Sequence, residues 1–453
     1  MNLRSLIQVA DATGGELVGP DANWRGVSID SRTLVADNLF VALRGPNFDG
    51  HDYVADAHAA GAAGAVVVHP VEVPLPQILV SDTHQALGRL AARWRAGFHG
   101  PLIALTGSNG KTTVKEMLRA ILAEGGSTLA TQGNLNNDIG VPKTLLRIAP
   151  EHRFAVVELG ANHVGEIAYT SRLSRPDVAV IVNAGSAHLA EFGSTERIRE
   201  AKGEILQGLD ADGIAVLNRD DPAFDQWSAA APGRVISFGT EGEPDVLAQC
   251  VEAEAERTLV QLRGPDFQHT VTLPLAGRHN VSNLAAAVAV MVALKLPDHL
   301  WLDAMERIRA VPGRLAQHAV KGWRLIDDAY NANPESVRAA IDVLSTAPAP
   351  QILVLGELGE LGSHTEAAMQ ALGEYARRRI ARLWTVGASA ERAALAFGDG
   401  GRHFVNRAEV ISALSELVSR EKGGSVLVKG SRSAAMEAVM AALIERIEKG
   451  GTR

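Results

Sequence analysis

The 453-residue chain sets 44 Lys and Arg against 52 Asp and Glu, a formal net charge of −8, which argues against general nucleic-acid or anionic-membrane binding while leaving room for a local basic pocket. A hydrophobic fraction of 46% with 21% charged residues argues against disorder, and the length calls for two to four domains. One cysteine, Cys250, excludes an intramolecular disulfide or multi-cysteine zinc site and suits a reducing cytosol.

The N-terminus has no sustained apolar run before Asp11 and Glu16, so no signal peptide is expected. Residues 1–98 form a first block, with short apolar strands at Phe40–Leu43, Ala65–Val68 and Ile78–Val80. Its last helix runs through Leu87, Leu90 and Trp94 until Gly97 and Gly100-Pro101 break it. Residues 99–311 form the second block. It opens with a buried-type strand, Leu102–Thr106, then a glycine-rich loop, then a helix whose apolar side is Val114, Met117, Leu118, Ile121 and Leu122. Further buried-type strands at Phe154–Leu159, Val178–Asn183 and Ile214–Asn218 argue a mainly parallel sheet covered on both faces. Thr258–Leu262 and Thr270–Leu273 alternate like an added antiparallel hairpin. The most apolar stretch, Leu284 to Leu294, is too short to span a bilayer and reads as a buried helix. Residues 312–453 start at the turn Val311-Pro312-Gly313 and repeat strand signals at Leu325–Asp328, Ile352–Gly356, Leu383–Gly387 and Ser425–Gly430, another α/β unit. The expected fold is therefore three α/β domains. The central one is a P-loop-type, mainly parallel sheet with flanking helices, and the C-terminal one is Rossmann-like.

The strongest local signal is Thr106-Gly107-Ser108-Asn109-Gly110-Lys111-Thr112-Thr113, between a strand and a helix. Glycines let backbone N–H groups close around phosphate oxygens, Lys111 reaches the β- and γ-phosphates, and the Thr112 hydroxyl can ligand Mg²⁺. The general phosphate-loop pattern asks for a glycine where this chain has Leu105, so the loop is a variant.

TGSNGKTTVKEM (106–117) resembles the ATP loop of the Mur ligases, which also lack that glycine. GNLNNDIGVPKTLL (133–146), ELGANHVGEIAYT (158–170), NAGSAHLAEFGS (183–194), AKGEI (201–205), GRHNVSNLAAA (277–287), PGRL (312–315) and DDAYNANP (327–334) extend the resemblance through the chain, as do VSIDSR (27–32) and FVALRGPNFDGHDYV (40–54) at its start. The resemblance implies an ATP-dependent amide ligase of cell-wall precursor synthesis, working in the cytoplasm as a monomer without inserting into the membrane. Its substrates would be UDP-N-acetylmuramoyl-tripeptide and D-alanyl-D-alanine, with 1–98 as the UDP-sugar domain, 99–311 as the ATP domain and 312–453 as the ligase domain. The tripeptide carboxylate would be phosphorylated by ATP, and the dipeptide amine would attack the acyl phosphate. The related diamino-acid-adding enzyme carries a DNPR motif, which this chain lacks. A plain ATPase is the alternative from another class.

Residue by residue, the resemblance implies two Mg²⁺ ions held by Thr112, Glu158, His188 and a carbamylated Lys202, with Lys111, Lys202 and His188 in catalysis. Gly107, Ser108, Asn109, Gly110, Lys111, Thr112, Thr113, Asn280, Arg314 and Asp328 would hold the nucleotide. Asn134 and Asn137, from a loop dense in amides that also includes Asn136, would position substrate, and Ser31, Arg32 and Asn47 would contact the UDP group. Lys429-Gly430-Ser431-Arg432 reads equally as a strand-end turn or an anion contact.

Overall fold

A computed structural model describes residues 4–185 and 189–449. Three α/β domains follow one another, each around its own principal sheet. In the first, the strand order is Glu16–Val18, Gln77–Leu79, Gly64–Val67, Asn38–Val41 and Gly26–Ser28, parallel except for the first pair. Its closing helix, Thr83–Arg95, starts where the Asp82 carboxylate accepts the His84 and Gln85 N–H groups. That helix is anchored on the next domain. Trp94 Nε1 donates to the Ile148 carbonyl at 2.9 Å, and the buried Arg95 guanidinium bonds the Ser174 and Arg175 carbonyls and the Asp177 carboxylate. One apolar core runs from Leu6 through Trp94 and Leu102 to Trp227, so the first two domains are packed together rather than strung on a free linker.

The central sheet has nine strands in the order Gln268–Leu273, Thr258–Arg263, Val246–Ala253, Arg234–Gly239, Ile214–Asn218, Val178–Ile181, Leu102–Thr106, Phe154–Glu158 and Thr128–Ala130. Leu102–Thr106 lies between Phe154–Glu158 and Val178–Ile181, parallel to both, with every residue buried. Helices Lys111–Gly125 and Arg278–Ala293 cover one face, the latter buried on almost all sides, as its alanine-rich sequence permits. The expected hairpin is the outer part of a three-stranded antiparallel extension. Its first strand, Val246–Ala253, escaped the pattern reading because a bulge between Cys250 and Glu252 breaks the alternation.

The third sheet runs Ala316–Val320, Trp323–Asp328, Gly424–Lys429, Gln351–Leu355, Arg382–Val386 and Gly401–Phe404, parallel apart from the first strand. Helices Pro334–Ser345, Thr365–Arg377 and Glu391–Phe397 pack on one face and Arg407–Arg420 and Glu437–Lys449 on the other. This is the expected Rossmann-like arrangement. Among the described residues, no helix is long and apolar enough to cross a membrane.

Candidate active site

Parallel sheets present functional groups at the carboxyl ends of their strands. Here the carboxyl ends of Leu102–Thr106, Phe154–Glu158 and Val178–Ile181 meet those of Trp323–Asp328 and Gly424–Lys429 across a cavity of about 620 Å³ between the central and third domains. Its walls include Ser108, Asn109, Gly110, Lys111, Thr113, Asn134, Glu158, Asn280, Arg314 and Asp328. Sequence-distant candidates are therefore brought to one place.

The phosphate loop is held open by its surroundings. Gly110 has φ +80°, and a Cβ there would meet Asn283 Oδ1 at 2.3 Å, so only glycine fits at this helix entry. Asn183, just past its strand, accepts the Asn109 N–H at 2.9 Å and donates to the Asn109 carbonyl at 3.1 Å. Lys111 Nζ donates to the Gly107 carbonyl at 2.5 Å and the Ser108 carbonyl at 3.3 Å, which places its ammonium inside the loop. Burial lowers the Lys111 pKa, against the attraction of Glu158 and with the repulsion of Arg314.

Thr112 Oγ1 donates to Glu158 Oε2 at 3.1 Å, and Asn136 Nδ2 donates to the other oxygen, Oε1, at 2.8 Å. Glu158 is itself fixed by its backbone N–H, which donates to Thr131 Oγ1 at 2.9 Å. A hydroxyl and a carboxylate side by side are hard oxygen donors, the chemistry that suits Mg²⁺ alongside phosphate oxygens. Among the described residues, no group of three or more His, Cys, Asp and Glu forms an all-protein metal cage. His188 lies outside the described residues.

Lys202 lies in the last turn of the helix Thr195–Gly203 and is only 1% exposed. Among the described residues it enters no ion pair, and its ammonium sits 5.7 Å from the Phe192 ring centroid. Burial, then repulsion from Lys111, push its pKa down to about 7, opposed by Glu204 and Glu166. Both Glu204 oxygens are already taken by the Gly165 and Ala168 N–H groups, at 2.6 and 3.0 Å.

The third domain grips the loop directly. Arg314 Nη2 donates to Thr112 Oγ1 at 3.0 Å, and Asn333 Nδ2 donates to Asn109 Oδ1 at 2.7 Å. Asn280 Nδ2 donates to the Ala276 carbonyl at 2.8 Å while its Oδ1 accepts from Asn283 at 3.0 Å, so its amide is held rigidly at the wall. Asp328 pairs with Lys429 at 2.6 Å, both buried. The segment starting at Lys429, ambiguous in sequence, thus begins with a buried ion pair. Its sequence signal was a lysine closing the apolar run Val426–Val428. Burial raises the Asp328 pKa and Lys429 opposes this. Lys429→Met should cost about 3–5 kcal/mol at neutral pH by stranding a buried carboxylate. With its folded-state pKa above the unfolded one, Asp328 would then let stability recover as pH falls and be lost as pH rises through the folded value. Urea unfolding of the variant at pH 7 and pH 4.5 measures this.

Other candidates sit differently. Asn137 Oδ1 accepts the Gly140 N–H at 2.8 Å, bracing the turn into helix Gly140–Leu145. Ser31, Arg32 and Asn47 are not among the residues lining this cavity. Arg32 makes a two-point pair with Asp30 at 2.9 and 2.7 Å on the surface of the first domain. The sequence reading passed over Tyr330, whose ring lies 4.5 Å from the Arg314 guanidinium, and Asn333. Both lie in the DDAYNANP segment, where the dense amides were the available signal.

Three family models match the chain in order: "Mur ligase family, catalytic domain" over residues 23–95, "Mur ligase middle domain" over 105–291 and "Mur ligase, glutamate ligase domain" over 313–432. A protein of Escherichia coli named UDP-N-acetylmuramoyl-tripeptide–D-alanyl-D-alanine ligase is 42% identical, covering 97% of this chain and 98% of its own. A protein of the same name from Bacillus subtilis is 34% identical, with 98% of each covered. A crystal structure of MurF from Acinetobacter baumannii superposes with a TM-score of 0.93 at 39% identity, covering 97% of this chain and 98% of that one. A Thermotoga maritima MurF ligase in complex with ADP gives 0.85 at 30% identity, covering 94% and 99%.

Proposed function

The chain belongs to the Mur ligase family, and from that premise we propose that it is the ATP-dependent ligase that joins D-alanyl-D-alanine to UDP-N-acetylmuramoyl-tripeptide in peptidoglycan synthesis. The observation that carries the reading is the meeting of a phosphate loop with third-domain groups around one cavity, in a chain that matches ligases of that name over its whole length.

A carboxylate is a poor acylating agent because oxide is its leaving group. Transfer of the γ-phosphoryl group of ATP to one carboxylate oxygen breaks its bond to the β–γ bridging oxygen, releases ADP and creates an acyl phosphate. The unprotonated dipeptide amine then attacks the carbonyl carbon, the C–N bond forms, phosphate departs with the C–O electrons, and the nitrogen gives up a proton to water. Lys111 and the loop N–H groups hold and neutralise the transferred phosphoryl group. Arg314 and Asn333 bring the third domain, and with it the amine, against the loop. Thr112 and Glu158 would hold Mg²⁺, with His188 and Lys202 as candidates for a second ion. Bound there, Mg²⁺ would offset the crowding of phosphate and carboxylate charge. Lys202 suits a ligand role only as a carbamate: its neutral amine attacks CO₂, loses a proton, and becomes an anion. A lysine pKa of about 7 supplies that neutral amine. We assign Asn280 and Asp328 to the nucleotide, Asn134 and Asn137 to the substrate loop, and Ser31, Arg32 and Asn47 to the UDP group. ATP and a UDP-linked substrate favour work in the cytoplasm, and the monomeric state remains the expectation of the family resemblance.

Phosphate release with Mg²⁺-ATP, omitting each substrate in turn and weighing the product by mass spectrometry, tests the proposal. Release that requires both substrates and yields the pentapeptide is expected. Release indifferent to both would make the chain a plain ATPase.

A further inference from the structure

Asn136 was one amide among several in a loop, yet its side chain is directed at a specific acceptor. Its Nδ2 donates to Glu158 Oε1 at 2.8 Å, while Thr112 donates to Oε2. Two donors on opposite oxygens fix the plane of a carboxylate that is 2% exposed. The Asn136 backbone is fixed as well: its carbonyl accepts the Gly160 N–H at 2.8 Å, and its N–H donates to the Asn134 carbonyl at 2.7 Å. Gly160 completes the socket. A Cβ there would stand 3.0 Å from Asn136 Cγ and Oδ1 and 3.1 Å from Nδ2, tighter than ordinary contact, so a side chain at Gly160 would press the amide out of place by a few tenths of an ångström.

We propose that Asn136 is a positioning residue that orients the Glu158 carboxylate toward a divalent cation and ties the Asn134–Asn137 loop to that group. The inference rests on the reading of Glu158 as a Mg²⁺ ligand. A ligating carboxylate needs one lone pair aimed at the ion. An amide on the far oxygen supplies that aim, and outer partners of this kind are worth about 10–100-fold in metal affinity. Because an amide donates without carrying charge, it orients Glu158 without neutralising it. A leucine at the same place has nearly the same size but no donor, so it would leave the carboxylate plane free to turn.

The test is Mn²⁺ binding to the full chain with ADP, read from the free-ion electron paramagnetic resonance signal, with metal-free ADP binding and thermal unfolding measured alongside. Asn136→Ala is expected to weaken Mn²⁺ about tenfold or more, and Asn136→Leu, which fills the same space without a donor, to weaken it by a similar factor, with metal-free ADP binding unchanged. Gly160→Ala should weaken Mn²⁺ in the same sense by displacing the amide. In the double variant Asn136→Ala/Glu158→Gln the loss should be no greater than in Glu158→Gln alone, as it must be if one residue acts through the other. Unchanged Mn²⁺ affinity in both Asn136 variants, or fully additive losses in the double variant, would overturn the proposal. Should Asn136→Ala fail to fold, Asn136→Leu, which fills the space of the amide, decides. Should Glu158→Gln itself leave Mn²⁺ binding intact, the metal reading of Glu158 fails first, and the positioning role falls with it.

Discussion

Replacing Lys111 with alanine is expected to lower kcat by about 10²–10³-fold or more while the chain still folds. The reason lies in where the ammonium sits. It is bonded to two carbonyls of its own loop and to no other part of the chain by a hydrogen bond among the described residues. Burial already opposes its charge, so its removal relieves the fold of a desolvation cost. The phosphoryl group, by contrast, gathers negative charge as it moves, and Lys111 is the cation placed inside the loop that cradles it. Lys111→Arg should not restore the rate, because a planar guanidinium cannot take the place of a compact point charge in so tight a loop. Single-turnover ligation, with circular dichroism and urea unfolding as folding controls, measures this. Ligation persisting near the normal rate in a folded Lys111→Ala protein would remove the phosphate loop from the chemistry.

The central domain was the most legible part of the fold because its strands are buried on both faces. Leu102–Thr106 and Ile214–Asn218 are continuous apolar runs closed by polar residues, and the strands have those same bounds. Strands at edges were harder. Ala316–Val320 is half exposed and reads AQHAV, without clear alternation, and Gly401–Phe404 has only one buried side chain. The predicted strand Val178–Asn183 ends instead at Ile181. That earlier end frees Asn183 to bond the phosphate loop on both sides of Asn109.

The site divides along similar lines. The phosphate loop was legible because glycines, a lysine and a threonine at fixed spacing have few other uses between a strand and a helix. What the sequence could not convey was pairing across the chain. The bond from Asn136 to Glu158, the ion pair of Asp328 with Lys429, and the reach of Asn333 to Asn109 join residues 22, 101 and 224 positions apart. A single sequence offers no register between such segments: Asp328 and Lys429 meet as partners on neighbouring strands of the third sheet, Asn136 reaches Glu158 within the central domain, and Asn333 crosses from the third domain to the central one. Asn137 illustrates the converse, since its side chain braces a local turn that any asparagine before a helix could serve.

Lys202→Ala is the other substitution expected to be severe, with a loss of about 10²-fold or more in kcat if a carbamate on this lysine shares in holding a cation. The environment makes the free ammonium an awkward occupant. It is buried, repelled by Lys111, and among the described residues has an aromatic ring rather than a carboxylate bonded to it, while Glu204 and Glu166 attract it only at range. With a folded-state pKa of about 7 against an ordinary 10.5, the unmodified lysine binds fewer protons folded than unfolded between those two values. Its unfavourable effect on stability is therefore complete below pH 7 and disappears as pH rises toward 10.5. Carbamylation, which consumes the neutral amine, follows the same direction. Activity in CO₂-depleted buffer should fall as pH drops below 7, and added bicarbonate should restore it. The sharper discriminator is chemical rescue of Lys202→Ala. Acetate or propionate, small enough to enter the space left by the side chain and carrying the negative charge of a carbamate, should recover part of the rate. Methylamine should not. Rescue by the amine alone would mean that the lysine acts as a cation and would refute the carbamate. Rescue by the acid, together with a carbamate carbon resonance from ¹³C-bicarbonate in the unsubstituted protein, would place the negative charge where a crowded polyphosphate site needs a cation held.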